Sequence, residues 1–330
     1  MGWIARAIDA GRDYRNPLAD VEDGLFVDIG ARRAKVSQFW MLLILSSTIA
    51  AGGVVGDSTP AVIGAMIVAP LATPIYGVAL ATVVGSSQRL RAALTLLVAG
   101  VAVNIAIGVL AGLVLTQRMP LDANPQITGR TAPSMLDLLV AVATGVAGAF
   151  ALTRRDVSNI LAGVAIAISL VPVLAVVGIT AGAGRFDLAW GALLLFLTNV
   201  GAILIAGAVV FGAAGYQREA VERDPRIARR ARALIAVFVI ALIVPLSVAS
   251  WRTSRYEGWV QATTKAAHAW VDGTGWDVDS VRLSGDDIVI TVLGSGDPPS
   301  VEELKAEVRA SVPDHVPVVL VEENGTTTDL

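Results

Sequence analysis

The chain of 330 residues is 55% hydrophobic and 16% charged, carries a net charge of −3 at pH 7 and contains no cysteine. This composition argues against an ordinary soluble enzyme, because about 20 apolar residues of helix cross a bilayer and several stretches here reach that length. Without cysteine there is no disulfide, thiol nucleophile or Cys-ligated zinc. The two histidines, His268 and His315, lie near the C-terminus, outside the apolar region. We therefore predict that the protein is not an enzyme and needs no cofactor.

Residues 1–38 are polar, and their charges interrupt any apolar core of a signal peptide, so we predict a retained cytoplasmic N-terminal region. Trp3, Ile4, Ala7 and Ile8 recur at helical spacing. This spacing predicts a short helix. Two interpretations stay open for it: a helix in the membrane interface, or a helix packed on the cytoplasmic face of the protein itself.

Seven apolar segments follow, and the loops between them carry the charges. We predict that they are membrane spans, and that the second either crosses fully or is re-entrant. The predicted spans are Phe39–Val55, Pro60–Val84, Ala92–Leu115, Leu136–Leu152, Ile160–Ala181, Leu188–Gly212 and Ala233–Ser250.

Lysine and arginine are distributed very unequally between the two sides of these spans. With a cytoplasmic N-terminus, sixteen fall in the cytoplasmic segments and three, Arg118, Arg130 and Arg185, in the outer loops between the spans. The positive-inside rule therefore predicts a multi-pass protein of the cytoplasmic (plasma) membrane with its N-terminus inside. The predicted regions are 1–38 (cytoplasmic), 39–115 (first membrane repeat), 116–135 (outer loop), 136–215 (second membrane repeat), 216–232 (arginine-rich cytoplasmic linker), 233–250 (seventh span) and 251–330 (extracytoplasmic domain).

Residues 251–330 predict a small α/β domain in the order αββαβ. A helix around Trp259–Trp270 precedes a hairpin of Asp277–Leu283 and Asp287–Leu293; Ser300 with Glu303 forms a capping box for a second helix, and Pro317–Glu322 is a third strand. The domain is net negative by eight, which argues against nucleic-acid binding. Its acidic surface either captures a cation or is simply solvated.

The first and second triplets of spans match each other. Asp57 aligns with Asp156 at one constant offset, and Asn104 aligns with Asn199 at a slightly shorter one. Because three spans are an odd number, a tandem copy enters the membrane the other way up. The predicted fold class is thus an all-α polytopic membrane bundle of two inverted three-helix repeats plus one helix, with the small C-terminal α/β domain. Further matches are Gly64 with Gly163, Ile67 with Ile166, Leu71 with Leu170 and Gly112 with Gly207.

Proline interrupts the second span of each half. Pro70 and Pro74 in the first half, and Pro172 in the second, lack an N–H and clash with the carbonyl four residues back. The freed carbonyls need partners in a bilayer, and Thr73 and Ser169 are the nearest candidates. Either these are ordinary kinks packed against neighbouring helices, or they open the backbone for a ligand.

Asn104 and Asn199 lie well inside the third span of each half, where an unsatisfied carboxamide is costly. We predict that both face the protein interior as ligand-binding residues, together with Thr198 beside Asn199. The alternative is an interhelical hydrogen-bond clamp.

Short polar segments precede the two interrupted spans. Side-chain oxygens at these positions can cap a helix, and carboxylates suit its positive end. Capping and ion binding therefore both remain open for these residues, which are Asp57, Ser58, Asp156, Ser158 and Asn159.

Two stretches resemble a known family. Residues 63–71, IGAMIVAPL, followed by TPI at 73–75, resemble the bacterial and archaeal hydrophobic-protein family known as domain of unknown function 389. Residues 161–172, LAGVAIAISLVP, resemble its second signature, except that Val173 stands where members often carry another proline. The likeness covers about residues 37–212. It implies an integral membrane fold and supplies no substrate.

The residues favour a transporter whose site lies where the interrupted helices meet near the bilayer midplane. No arginine or lysine lies inside the spans, so a small cation or a neutral polar solute is the expected ligand. Two alternatives stay open: an ion channel, and a membrane-anchored binding or sensor protein that acts through its acidic C-terminal domain. The expected partners are the lipid bilayer and the solute or ion, without nucleic acid. Glycines such as Gly108 and Gly112 permit close helix packing and also a homo-oligomeric face.

Overall fold

The computed structural model describes residues 14–115, 121–131, 135–157, 170–223, 258–284, 287–294, 299–314 and 316–324. The chain divides into two compact units, Met1–Leu246 and Ser247–Leu330. Each unit has its own hydrophobic core. The expectations for an N-terminal helix at residues 3–8, for the start of the fifth span and for the seventh span fall outside the described residues.

The first unit is helical. Its packing is carried by long apolar helices, joined mostly by short turns. The helices are α1 (Leu18–Leu25), α2 (Arg32–Val55), α3 (Thr59–Val68), α4 (Ala72–Val83), α5 (Ser87–Leu115), α6 (Met135–Thr153), α7 (Leu170–Gly182), α8 (Phe186–Ala213) and α9 (Tyr216–Arg223), with single turns at Leu121–Ala123 and Pro125–Thr128.

Four of these helices, α2, α5, α6 and α8, are long and apolar enough to cross a membrane. The pair α3 and α4 passes the same test jointly, as a rod bent by 44° at a short break, and α7 is a shorter apolar helix. Several apolar helices were expected here, and this is confirmed for the residues described. Helix α2 begins seven residues before the predicted span at Phe39, because hydropathy marks the apolar stretch whereas backbone hydrogen bonding continues through its charged flank.

Two helices form the centre of the packing. Helix α5 packs against α2, α4 and α7, while α8 packs against α4, α6 and α7. The outer faces of α5 and α6 leave large apolar side chains more than half exposed, including Leu110, Val114, Leu136 and Leu139. Such a surface suits a hydrocarbon solvent better than water.

One end of the bundle, which we call the charged end, is held by polar contacts between distant segments. They join the segment around α1 to the starts of α2 and α5, to the end of α6 and to α9. These contacts are the ion pairs Glu22–Arg89, Lys35–Asp23 (2.8 Å), Arg15–Glu219 (3.0 Å) and Arg155–Asp20 (2.7 Å), and the hydrogen bond from the Asn16 N–H to the Thr153 carbonyl (2.8 Å).

The opposite end, which we call the Asn124 end, is organised by the segment 121–131. Asn124 Nδ2 donates to the Val54 carbonyl at 2.8 Å, which ties the segment to the end of α2. Further contacts reach the starts of α3 and α8: Gln126 Nε2 donates to Thr59 Oγ1 (2.9 Å), and Arg185 pairs with Asp122 (2.7 Å). The hydrogen bonds that Arg185 donates to Asp187 and Asp122 raise the pKa of its guanidinium above its ordinary value.

These contacts fix the directions of the helices. Helices α2 and α5 begin at the charged end, whereas α6 and α8 end there. The group α2 to α5 therefore starts at the charged end and the group α6 to α8 starts at the Asn124 end. The two groups run in opposite senses, as an inverted repeat requires, while the equivalence of the two halves stays a prediction.

The second unit combines helices with a three-stranded sheet in the order β1-β2-β3. Helix α10 covers residues 258–271, β1 is Asp277–Ser284, β2 is Asp287–Gly294, α11 is Val301–Arg309 and β3 is Val318–Asn324. Strands β1 and β2 are antiparallel, and β2 and β3 are parallel. The buried residues Ile288, Ile290 and Val292 alternate along β2 and face the helices, whose inner side includes Trp270, Leu304 and Val308.

The predicted small α/β fold is therefore present, but the capping box is not formed. Ser300 occupies the N-cap position of α11, yet its hydroxyl makes no capping hydrogen bond. Its carbonyl accepts from Trp270 Nε1 at 2.8 Å instead, which anchors this residue to α10.

Candidate functional site

The rod formed by α3 and α4 is interrupted between Val68 and Ala72. Pro70 and Pro74 lack an N–H, so neither can donate to the carbonyl four residues before it. The Thr73 N–H donates to the Pro70 carbonyl at 3.2 Å and begins the new helix. Met66, whose carbonyl would have been paired with position 70, lies at this break.

Asn104 lies in the middle of α5 and is completely buried. Neither its Nδ2 nor its Oδ1 has a hydrogen-bond partner among the residues the structure describes. A buried carboxamide without partners costs free energy, on the order of 1–3 kcal/mol for each unmade interaction. Asn104 therefore forms no interhelical hydrogen-bond clamp with the described residues.

The neighbours of Asn104 one turn earlier place it beside the break. A Cβ atom on Gly100 would lie 3.1 Å from Leu71 Cδ2, in the break itself. It would also lie 3.3 Å from Phe39 Cζ and 3.4 Å from Leu43 Cδ2, both on α2. Because residues four apart share a helix face, Asn104 lies on the same face of α5, one turn further along the helix.

One turn later the same face of α5 meets α7. A Cβ on Gly108 would lie 2.7 Å from the Ala175 carbonyl oxygen and 2.9 Å from Gly178 Cα. Only glycine permits so close an approach of two backbones. The two helices are thus held in one register, with the beginning of α7, including Pro172, nearest to Asn104.

Asn199 occupies α8, whose neighbours include α4 and α7, both of which also pack on α5. It is 8% exposed, and its Oδ1 has no partner within the described part of the chain. The neighbouring Thr198 hydroxyl donates to the Leu194 carbonyl at 2.8 Å, within its own helix. Asn199 therefore offers a free acceptor, whereas the Thr198 hydroxyl hydrogen is already used.

The remaining predicted residues have different surroundings. Thr73 is half-buried in the first turn of α4. Pro172 lies within the first turn of α7 as described. Ser58 is the N-cap of α3, and its hydroxyl accepts a hydrogen bond from the Ala61 N–H at 3.4 Å. Ser158, Asn159 and Ser169 lie outside the described residues.

The two aspartates that precede the interrupted spans are both exposed. Asp57 has a positive φ of 47°, a left-handed conformation that aspartate tolerates in tight turns. Asp156 accepts from Arg154 Nε at 2.9 Å, and this hydrogen bond lowers the pKa of its carboxyl. Both side chains belong to the surface and lie apart from the buried asparagines.

Within the helices of the first unit, sequence reasoning missed the buried polar residue Ser47 of α2. It is 0% exposed, and its hydroxyl has no partner among the described residues. A serine in an apolar helix attracts little attention, because its hydroxyl normally bonds to the preceding turn. Ser46 does so, donating to the Leu43 carbonyl at 3.0 Å.

The site contains no buried charge. Among the described residues, the one buried acidic or basic side chain is Glu22, which is paired with Arg89 at the charged end. The same residues contain no cluster of three histidine, aspartate or glutamate side chains that would hold a metal ion. The chemistry that the site offers is hydrogen bonding from carboxamide, hydroxyl and backbone carbonyl groups.

A cavity of about 420 Å³ lies at the charged end. Its walls come from α1, from the turn between α4 and α5 and from α9, and include Glu22, Asp28, Gln88 and Arg89. It shares no lining residue with the surroundings of Asn104.

The fold and site together define a bundle of apolar helices around unpartnered carboxamides and a proline-interrupted rod. Residues 66–205 match the family described as domain of unknown function (DUF389), which confirms the predicted resemblance for this part of the chain. The matched region includes the break, Asn104 and Asn199.

An uncharacterized protein of the archaeon Methanocaldococcus jannaschii is 35% identical to this chain over 175 residues. The aligned region covers 53% of this chain and 53% of the relative, so the chain spans about half of that relative's length. No solved structure matches the chain. The family description and the relative's name both leave activity open.

Proposed function

We propose that the protein is an integral membrane transporter of a small cation or neutral polar solute, with its site where Asn104 meets the break between α3 and α4. The observation that carries this proposal is the complete burial of Asn104 with both amide atoms unpartnered. Proteins rarely bury such a group without a ligand, water or partner to satisfy it.

Three further features support the proposal. The described helices include several that are long and apolar enough to cross a bilayer. The helix groups α2–α5 and α6–α8 run in opposite senses, and each contributes one buried asparagine. Secondary transporters commonly combine opposed repeats with interrupted helices around a central site. Under this proposal the charged end, rich in arginine, faces the cytoplasm.

The test is uptake by the purified protein in proteoliposomes, assayed against alkali cations and small uncharged polar solutes. Asn104→Leu and Asn199→Leu should each abolish the uptake shown by the wild type, because leucine has a similar volume and no hydrogen-bonding group. Thr82→Val is the matched control, since the Thr82 hydroxyl is also buried in a helix but already donates to the Val78 carbonyl. Unchanged uptake in both asparagine variants would remove these residues from the site.

A further inference from the structure

Three buried side-chain atoms on two neighbouring helices lack partners among the described residues. They are Nδ2 and Oδ1 of Asn104 on α5 and Oγ of Ser47 on α2, and both residues are 0% exposed. In the first unit, the hydroxyls of the other buried helical residues described, such as Ser46 and Thr180, donate to a carbonyl of the preceding turn. Ser47 therefore resembles Asn104, because each is a buried polar side chain without a hydrogen-bond partner among the described residues.

The packing register of α2 and α5 places these two residues at similar heights along the interface. Helices α2 and α5 pack together and run in the same direction, from the charged end to the Asn124 end. Gly100 faces Phe39 and Leu43 across this contact. Asn104 follows Gly100 by one turn, so it is level with the turn of α2 that runs from Leu43 to Ser47.

The donor and acceptor atoms of Asn104 and Ser47 cannot all be satisfied by a bare cation. A cation could bind Asn104 Oδ1 and Ser47 Oγ, but it would face the N–H groups of Nδ2, which need an acceptor. A charged ligand would also lack a counter-charge, because the one buried carboxylate of the described residues, Glu22, is already paired with Arg89. Burying an unpaired charge costs far more than burying a hydrogen-bonded neutral group.

We propose that Ser47 and Asn104 form one binding site for an uncharged solute that carries adjacent hydrogen-bond donors and acceptors, such as a hydroxyl or carboxamide compound. This inference rests on the proposed transport function and narrows its substrate class. Such a ligand satisfies the acceptor Oδ1, the donor Nδ2 and the hydroxyl of Ser47 together.

The experiment measures entry of glycerol, urea and radioactive Na⁺ into proteoliposomes that contain the full chain. Wild-type protein should admit glycerol or urea faster than protein-free vesicles, and should leave Na⁺ at the protein-free rate. Ser47→Ala should slow that entry about tenfold, which corresponds to the loss of one hydrogen bond at the upper end of the usual range. Ser46→Ala, at the adjacent buried serine, should stay within about twofold of wild type because its hydroxyl is already used within the helix.

The outcomes separate this inference from the transport proposal. Na⁺ entry that Asn104→Leu abolishes, without entry of glycerol or urea, would keep the transporter and overturn the uncharged substrate. Glycerol or urea entry that Ser47→Ala leaves unchanged would remove Ser47 from the site. Entry of none of the three probes would overturn the substrate class proposed here. Because Ser47→Ala removes a single oxygen, it serves as the folded variant if Asn104→Leu fails to assemble.

Discussion

Two buried asparagines show how the same side chain serves different purposes at different positions. Asn124 is fully engaged: its Nδ2 donates to the Val54 carbonyl at 2.8 Å, and its Oδ1 accepts from the Gln126 N–H at 2.8 Å. Asn104 is more deeply buried, and neither atom has a partner among the described residues. The first asparagine holds the structure together, whereas the second is retained at a cost to stability, as is common at functional sites.

Substituting the two asparagines should therefore shift stability in opposite directions. Asn104→Leu replaces unpaired polar atoms by an apolar group of similar volume, so the free energy of unfolding should stay level or rise by about 1–3 kcal/mol. Asn124→Leu should lower it by about 1–3 kcal/mol, because the Val54 carbonyl and the Gln126 N–H lose their partner. Thermal unfolding of the detergent-purified variants measures both. Equal losses in the two variants would mean that Asn104 is also a structural residue.

At the scale of elements, the prolines differ by position. Pro60 lies at the start of α3, where the missing N–H would have no helical partner in any case. Pro70 and Pro74 lie where the rod would otherwise be continuous, and there the chain bends by 44°. The same residue type is neutral in one place and breaks a helix in the other, because only interior positions require the N–H.

Joining α3 and α4 should block the function without unfolding the protein. The double variant Pro70→Ala with Pro74→Ala restores two N–H donors. In a helix interior each proline costs up to about 3 kcal/mol relative to alanine. We expect a straighter rod, stability equal to or above the wild type, and strongly reduced uptake in proteoliposomes.

Pro60→Ala is the control for this experiment and should leave uptake unchanged. Full uptake by the double variant would show that the break has no part in ligand binding, and that it is an ordinary kink between packed helices.

At the scale of the first unit, the two ends have different chemistry. The charged end joins α1, the start of α5 and the end of α6 through ion pairs. The Asn124 end is held mainly by hydrogen bonds of the segment 121–131, and burial lowers the pKa of its Arg130 guanidinium. Under the proposed function, these ends lie on opposite sides of a bilayer, with the more basic end in the cytoplasm.

The absence of native cysteine allows a direct test of this arrangement. Gln88→Cys lies at the charged end and Ala123→Cys at the Asn124 end, both at exposed positions. A membrane-impermeant maleimide added to intact cells should label Ala123→Cys, and should label Gln88→Cys only after the cells are permeabilised. Equal labelling of both positions in intact cells would contradict a membrane between the two ends.

The sequence predicted a good part of this organisation. Apolar stretches of the right length marked the long helices, and prolines marked the break, because both signals arise from local chemistry. The C-terminal order αββαβ followed from period-two alternation and turn residues. The capping hydrogen bond of the Ser300 hydroxyl was predicted wrongly. Ser300 is held instead through its carbonyl by Trp270, and such a contact between two elements is not visible in the local sequence.

The sequence by itself determined that this chain forms apolar helices, where one of them is interrupted, and that Asn104 and Asn199 are costly residues within them. Only the tertiary structure decided that Asn104 has no partner in the described residues, and that the Ser47 hydroxyl shares this state. It also decided that Leu71 and Leu43 both pack against the face of α5 that carries Gly100. The reason is physical: helix formation depends on neighbours along the chain, whereas hydrogen-bond satisfaction depends on which helices pack together and in what register.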